Sequence, residues 1–151
     1  MKNKLEFPST RFKDDAEAST GLLFIRVYNK WHTVITRELR KLGITHPQFV
    51  VLTTLNFLSQ SDENVTQASI AKMADMDVMS VSQIIKGLEK NEFIKRTTNP
   101  NDSRANAVTL LPKGQEMVRA SLPIVERTDD EFFGVLKEKE SIFRQYLKQM
   151  E

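Results

Sequence analysis

A strongly polar stretch stands between two short alternating segments of this 151-residue chain. Residues 99–114 read NPNDSRANAVTLLPKG and follow the run EFIKRTTN, so Asp102, Ser103 and Arg104 fall at the tip of an expected β-hairpin. Their side chains offer charges and hydrogen-bonding groups, which is the chemistry of binding. Such a tip cannot enter a core. It is either an ordinary solvated turn, where an ion pair contributes little, or a surface that contacts a partner.

The chain offers no arrangement of residues for catalysis. It contains no glycine-rich phosphate loop, no Gly-x-Ser-x-Gly turn and no His-Glu-x-x-His motif. Its carboxylates are scattered over amphipathic segments, as solvated helix faces require. The absence of cysteine excludes disulfides, thiolate metal sites and nucleophilic thiols. We therefore expect a protein that is not an enzyme.

The two histidines are the remaining residues that could bind a metal ion. A zinc site without cysteine would need both His32 and His46 together with carboxylates. His46 beside Pro47 is explained more simply as a residue at a helix start, and His32 as a residue on a helix face. We expect no metal site and no cofactor.

The composition is that of a globular domain without membrane spans. Hydrophobic residues make up 40% and charged residues 28% of the chain, and the formal net charge is +2. This charge neither indicates nor excludes a nucleic acid partner, so any basic surface must be local. The N-terminal residues lack the apolar core of a signal peptide, and no stretch is long enough to cross a membrane. We expect a cytoplasmic protein with no membrane partner.

The hydrophobic periodicity predicts two helices before residue 60. Apolar residues at steps of three and four predict a long helix from Asp14 or Ala16 to Leu42, which Gly43 ends. The sequence Thr-His-Pro at residues 45–47 is typical of a helix start, and this second helix ends in the turn SQSDEN.

Two short helices and a hairpin are expected next. Thr66 can cap the segment QASIAKMA, and Asp77 can cap a helix that reaches Glu89. The inward-facing residues expected on these helices are Ile70, Met73, Ala74, Val81, Ile84, Ile85 and Leu88. The strands FIKRT and ANAVTLL follow. Pro112 then opens a helix through about Arg127, in which Pro123 should kink or break the regular hydrogen bonding locally, and a last helix begins at Asp129 or Asp130.

This order of elements predicts a mainly α fold with a small β-hairpin wing. A short helix, a tight turn and a longer helix form a helix-turn-helix, and the hairpin after it makes a winged helix. The second helix of such a pair fits the major groove of DNA, and the tip of a wing can reach the adjacent minor groove.

The sequence resembles the MarR family of multiple-antibiotic-resistance regulators. The segment NDSRANAVTLLPKG is similar to the wing signature of that family, and TQASIAKMADMDVMSVSQIIKGLEKNEFIKR is similar to its helix-turn-helix along the full length. The segment GITHPQFVVLTTL resembles the entry to its second helix. The resemblance covers roughly Gly21 to the C-terminus. It implies a DNA-binding transcriptional regulator, expected to be a repressor, that acts as a homodimer on a pseudo-palindromic operator in double-stranded DNA.

The resemblance also implies a division of the chain. Residues 1–13 are expected to form a flexible arm, and residues 14–44 and 113–151 to form the helical dimerisation region. Residues 45–112 are expected to form the winged helix-turn-helix DNA-binding domain. The amphipathic stripes of the first and last helices agree with dimerisation, although such stripes equally suit packing within one chain.

The resemblance assigns DNA contacts to particular residues. Arg104 is expected to enter the minor groove, held by Asp102 through a charge-assisted pair. The recognition helix is expected to contact DNA through Val78, Met79, Ser80, Ser82, Gln83 and Lys86. Backbone phosphates are expected to meet Thr66, Gln67 and Ser69 at a helix start and Lys95, Arg96 and Asn106 beside the wing. The family commonly has arginine at Gln83 and a charged residue at Gly87, so the operator is not deduced from the resemblance.

Several of these residues also have a simpler interpretation. Thr66 is a sufficient N-cap without DNA, and the wing residues could form a solvated strand edge. The aromatic residues Phe24, Tyr28, Trp31 and Phe49 could line a pocket for a small aromatic effector, as in the family, although aromatic residues at helical spacing more often form core. A winged helix that binds protein and no DNA is the alternative function, because residues 66–104 carry a net charge of only +1 by our count.

Overall fold

The computed structural model describes Phe12, residues 18–99 and residues 102–151, and at residues 98, 99 and 102–105 it describes only the backbone. The helices are α1 (Thr20–Lys41), α2 (His46–Leu58), α3 (Gln67–Met73), α4 (Val78–Lys90), α5 (Pro112–Phe133) and α6 (Glu140–Met150). The strands β1 (Ile94–Asn99) and β2 (Asp102–Leu110) form an antiparallel hairpin. A mainly α fold with one hairpin is therefore confirmed.

The chain divides into two compact units, residues 1–34 and 35–151. In the first unit, Ser19 caps α1 by accepting a hydrogen bond at Oγ from the Leu22 amide, at 3.3 Å. The predicted helix start at Asp14 or Ala16 and the predicted flexible arm lie outside the described residues, except Phe12. Within this unit Tyr28 packs beside Trp31 and stacks on His32, with ring centroids 6.0 and 5.5 Å apart.

The second unit holds the described core. Its fully buried side chains come from the end of α1, from α2 to α4 and from both strands: Ile35, Leu39, Val51, Leu52, Leu55, Val65, Ile70, Val81, Ile85, Leu88, Ile94 and Val108. α2 contacts α3, α4 and α5, so it lies at the centre of the winged helix. The predicted stripe on α4 is confirmed for Val81, Ile85 and Leu88, whereas Ile84 is half-buried.

Local cap chemistry sets the helix boundaries. Thr45 and Gln48 form a reciprocal capping box at the start of α2, with N···O distances of 2.9 and 3.3 Å. Gly43 ends α1 with a φ of 79°, a left-handed conformation that glycine adopts without strain. The capping roles predicted for Thr66 and Asp77 are likewise confirmed.

Two details of the predicted helices are wrong. Met73 was expected to face inward, but its side chain is 50% exposed, and Ala71 is buried instead. A helix of seven residues contains too few repeats for its buried face to be deduced from periodicity. The end of α5 was also predicted too early, at about Arg127, whereas the helix continues to Phe133; Pro123 lies on its exposed side, where water can reach the carbonyl left without a donor. The break falls later, at the 3-10 segment Gly134–Lys139, where Lys137 has a φ of 50°.

The wing is attached to the helix-turn-helix at its base. β1 pairs with β2 from Ile94 opposite Leu110 to Thr97 opposite Ala107. The Val108 amide donates a hydrogen bond to the Val65 carbonyl, at 2.7 Å, and Thr66 forms a bridge with Ala107. The segment before α3 thus bonds the edge of the hairpin, and this fixes the wing to the same body as α3 and α4.

Candidate DNA interface

The recognition helix α4 has one buried face and one exposed face. Val78, Met79, Ser80, Gln83 and Lys86 are exposed, and Ser82 is half-buried. Met79 is 72% exposed, so its apolar side chain is accessible to a partner. The residues that the sequence assigned to DNA on this helix therefore lie on one accessible surface.

The start of α4 is fixed by Asp77. Its carboxylate accepts hydrogen bonds from the Met79 amide, at 2.8 Å, and from the Ser80 amide, and the Ser80 hydroxyl donates to the same carboxylate. The hydrogen bond from the Ser80 side chain, followed by that from the Met79 amide, holds the pKa of Asp77 below its usual range. The Ser80 amide and hydroxyl proton are thereby occupied in the cap, so a DNA contact by Ser80 must use the remaining lone pairs of its hydroxyl oxygen.

The start of α3 is built in the same way. The Ser69 amide donates to Thr66 Oγ1 at 3.1 Å, and the Thr66 amide donates to Ser69 Oγ at 2.9 Å. Thr66, Gln67 and Ser69 are all half-buried. The capping role of Thr66 and Ser69 is established by this geometry, and the contact of all three residues with phosphate stays a prediction.

The wing residues are placed differently from one another. Lys95 is exposed, whereas Arg96 is half-buried and its guanidinium bonds Glu89 of α4. Asn106 is half-buried, and its Oδ1 is buried without a hydrogen-bond partner. Asp102 and Arg104 belong to β2, but their side chains, and with them the predicted pair, lie outside the description.

Glu89 is the residue of this region that sequence reasoning did not select. It binds Arg96 across a separation of seven residues, from the last turn of α4 to β1. The hydrogen bonds from Arg96, its side chain first, lower the pKa of Glu89. Glu89 lies on a helix and Arg96 on a strand, so no periodicity relates them, and only the two opposite charges flanking the expected turn could have pointed to the pair.

The predicted effector-pocket residues differ in exposure. Phe24 and Tyr28 are exposed and Trp31 is half-buried in the N-terminal unit, whereas Phe49 lies in the core of the second unit. For Phe49 the simpler interpretation as a core residue is thereby favoured. The second unit also has a groove of about 400 Å³ between α2, α3 and α5. It is lined by Thr53, Thr54, Asn56, Phe57, Gln60, Met73, Val118 and Leu122.

The residues described contain no group of three or more metal-ligating side chains placed around one point. Within the same part of the chain, no helix combines the length and the apolar character needed to span a membrane.

A helix-turn-helix followed directly by a β-hairpin defines a winged-helix protein. The family model that matches the chain is that of the MarR family, over residues 44–105. The sequence is 37% identical over 123 residues to YdcH, an uncharacterised HTH-type transcriptional regulator of Bacillus subtilis, covering 82% of this chain and 84% of the relative. The chain belongs to the MarR family of winged-helix transcriptional regulators.

Solved structures agree with this fold. The chain is similar to MepR from a MepR–DNA complex of Staphylococcus aureus, with a TM-score of 0.76, 24% identity and coverage of 89% of this chain and 96% of that one. It is similar to the same degree to BpsR of Bordetella bronchiseptica, with a TM-score of 0.76, 24% identity and coverage of 95% and 96%. That structure concerns the regulation of DNA binding by 6-hydroxynicotinic acid.

Proposed function

We propose that this protein represses transcription by binding, as a homodimer, to a pseudo-palindromic operator. The observation that carries the proposal is the exposed face of α4. Met79, Gln83 and Lys86 are exposed on the side opposite the buried Val81 and Ile85, next to the hairpin. A helix with one accessible polar face beside a wing has the shape that enters the major groove.

The chemistry of that face suits base recognition. The amide of Gln83 can pair with the N6 and N7 positions of adenine, and the apolar end of Met79 can contact a thymine methyl group. Lys86, one turn further along the helix, is placed for a phosphate. These roles rest on the exposure of the three side chains and on the resemblance of the helix to its family.

The local charge is more favourable to DNA than its net value of +1 indicates. Lys72, Lys86, Lys90 and Lys95 are all exposed. Of the acidic groups, Asp77 is bonded to the start of α4, whose dipole is positive there, and Glu89 is paired with Arg96. Asp75 and Glu92 are exposed as well, so among the described side chains four exposed lysines stand against two exposed carboxylates outside these contacts.

Dimerisation is supported by apolar side chains left exposed on α1 and α6. On α1 they are Leu22, Leu23, Phe24, Ile25, Val27 and Tyr28, and no residue of α6 is buried. Exposed apolar surface on this scale is typical of an interface. We propose residues 14–44 and 113–151 as the dimerisation region and residues 45–112 as the DNA-binding domain. The symmetry of the dimer then accounts for a palindromic operator.

The proposal extends to release by a small aromatic effector. BpsR, a structural neighbour, binds DNA under the control of an aromatic acid, 6-hydroxynicotinic acid. An effector releases DNA only if it binds the two states of the dimer with different affinity. Trp31, the only tryptophan, reports on the predicted pocket directly. Titration with 6-hydroxynicotinic acid should change the fluorescence of Trp31 and weaken DNA binding. If neither changes, this compound is not an effector of the protein.

The test of DNA binding is selection of bound duplexes from a random pool by the purified protein, followed by sequencing. We expect a palindrome whose half-sites are about one helical turn apart. Its affinity should fall steeply as salt is raised, because each neutralised phosphate releases counterions. A folded, dimeric protein that enriches no sequence at low salt would contradict the proposal and favour a protein-interaction module.

A further inference from the structure

One carboxylate joins the recognition helix to the wing. The backbone amide of Arg96, in β1, donates to Glu89 Oε1 at 3.3 Å. The guanidinium of the same residue donates from Nε to Glu89 Oε2 at 2.8 Å, and Nη2 bonds that oxygen as well. Both the side chain and the main chain of Arg96 are thus attached to α4.

The turn between α4 and β1 is held from its other side by the core. Phe93 and Ile94 are buried, and the Phe93 amide donates to the Leu88 carbonyl at 3.0 Å. Glu92, within the turn, has a φ of 60°, which is uncommon for a residue with a side chain. The Glu89–Arg96 pair therefore closes the open side of a turn whose direction sets where the wing points.

The pair is sheltered enough to have a defined geometry. The side chains of Arg96 and Glu89 are only 30% and 34% exposed. Two guanidinium nitrogens of Arg96 share Oε2 and its amide bonds Oε1, so both oxygens of the carboxylate are engaged by one residue. An arginine engaged in this way has fewer donors left for a phosphate.

We propose that Glu89 and Arg96 act as a positioning pair that sets the angle of the wing relative to the recognition helix. Arg96 then supports DNA binding by holding the wing at this angle, and it makes no phosphate contact of its own. The inference rests on the proposed function, since it explains how α4 and the wing engage two grooves at once.

A small rotation of the strand at this pair produces a large displacement at the tip of the wing. The strand continues from Arg96 for three residues to Asn99, the last residue of β1. At about 3.3 Å per residue, the tip lies on the order of 10 Å beyond the pair, so a rotation of about 10° moves it by about 2 Å. A displacement of that size is enough to remove a side chain at the tip from a narrow groove.

The loss of charge and the loss of the positioning pair would change the DNA affinity of Glu89→Gln in opposite directions. This change removes a negative charge next to a polyanion, so charge alone would strengthen DNA binding. Loss of the positioning pair would weaken it. Glu92→Gln is the matched control, because Glu92 is an exposed glutamate in the adjacent turn and its loss changes the charge equally.

The experiment measures the affinity of the folded dimer for the selected operator duplex, together with its salt dependence. We expect Glu89→Gln to bind several-fold more weakly than the wild-type protein, while Glu92→Gln binds as well or better. In a cycle with Arg96→Gln, the two changes should be strongly non-additive, with a coupling of about 2- to 100-fold in Kd. Thermal unfolding and dimerisation are measured for each variant, and Arg96→Lys serves where Arg96→Gln fails to fold.

Salt dependence separates positioning from a phosphate contact. Arg96→Gln should change the slope of log affinity against log salt no more than Glu89→Gln does, because both act through the position of the wing, whereas loss of the exposed cation in Lys95→Gln should reduce it by about 1. A Glu89→Gln variant that binds as tightly as the wild-type protein, or a slope lower by about 1 in Arg96→Gln than in Glu89→Gln, would overturn the inference alone. Failure of the wild-type protein to select any DNA would overturn the proposed function and this inference with it.

Discussion

Gly114 lies directly against the backbone of Phe93. A β-carbon built on Gly114 would stand 2.0 Å from the Phe93 carbonyl oxygen, which also accepts a hydrogen bond from the Leu111 amide. Gly114 belongs to the first turn of α5, and Phe93 lies just before β1. The glycine that ends the family's wing signature is thus explained by the close approach of α5 to the turn that leads into the wing.

The first prediction concerns this approach. Gly114→Ala should destabilise the protein by about 3 kcal/mol or more, because a backbone carbonyl cannot move aside as a flexible side chain can. Urea unfolding measures the difference. Gly134→Ala is the control, since no atom lies within 4 Å of a β-carbon at that position. Equal stability of the two variants would show that α5 does not pack against Phe93 in this way.

Gly87 in α4 gives the opposite expectation. A β-carbon there meets only Gln48 Nε2, at 3.9 Å, which is an ordinary contact. Because alanine restricts the unfolded chain more than glycine does, Gly87→Ala should stabilise the protein by about 1 kcal/mol. The midpoint of thermal unfolding should rise. A fall would mean that α4 and α2 come closer together than this distance indicates.

Variants at Thr66 test its role as the cap of α3 separately from its predicted contact with DNA. Thr66→Ala removes the oxygen that accepts from the Ser69 amide and should cost about 1 kcal/mol of stability. Thr66→Ser retains the oxygen and should behave as the wild-type protein does. Unfolding experiments compare the three proteins. If Thr66→Ala were as stable as Thr66→Ser, the capping box would contribute nothing.

The Glu89–Arg96 pair predicts a pH dependence of stability. Arg96 lowers the pKa of Glu89 below the ordinary value of 4.5, so the folded protein binds the proton less readily than the unfolded chain does. The stabilisation is therefore complete above that value and is lost as the pH falls through the lower pKa of the folded state. The difference in unfolding temperature between wild type and Glu89→Gln should persist at neutral pH and shrink below about pH 4.5. A difference that grows on acidification would contradict the assigned shift.

Arg104 tests the wing in DNA binding. Arg104→Ala should weaken binding to the selected operator by about 1–3 kcal/mol and leave unfolding almost unchanged, because the residue belongs to the end of a hairpin. Arg119→Ala removes the same charge from an exposed position on α5 and is the control. Fluorescence anisotropy with labelled duplex measures both. Equal affinity of the two variants would exclude a wing contact by Arg104.

Local chemistry made much of this fold predictable from the sequence. Thr45, Thr66 and Asp77 each cap a helix with atoms two or three residues away, so the relevant interactions lie within a few residues of the sequence. The buried face of α4 follows from periodicity over a helix of thirteen residues. These signals were enough to place the recognition helix and the wing in the right order.

The interactions that escaped prediction depend on tertiary structure. The exposure of Met73 depends on how a short helix packs, and the continuation of α5 beyond Arg127 to Phe133 carries no local stop signal such as glycine or proline near Arg127. Glu89 meets Arg96 only because the turn between them folds back. The DNA contacts themselves stay predictions, since they require the partner molecule.

The hydrogen bond from the Val108 amide to the Val65 carbonyl has a consequence for folding. It joins the residue before α3 to the second strand of the wing, so everything between them becomes a closed loop. Closing that loop costs chain entropy once, and the contacts within the loop then form without a further cost of closure. The two helices and the wing base should therefore open and close as one cooperative unit in hydrogen exchange, with no separately unfolding wing.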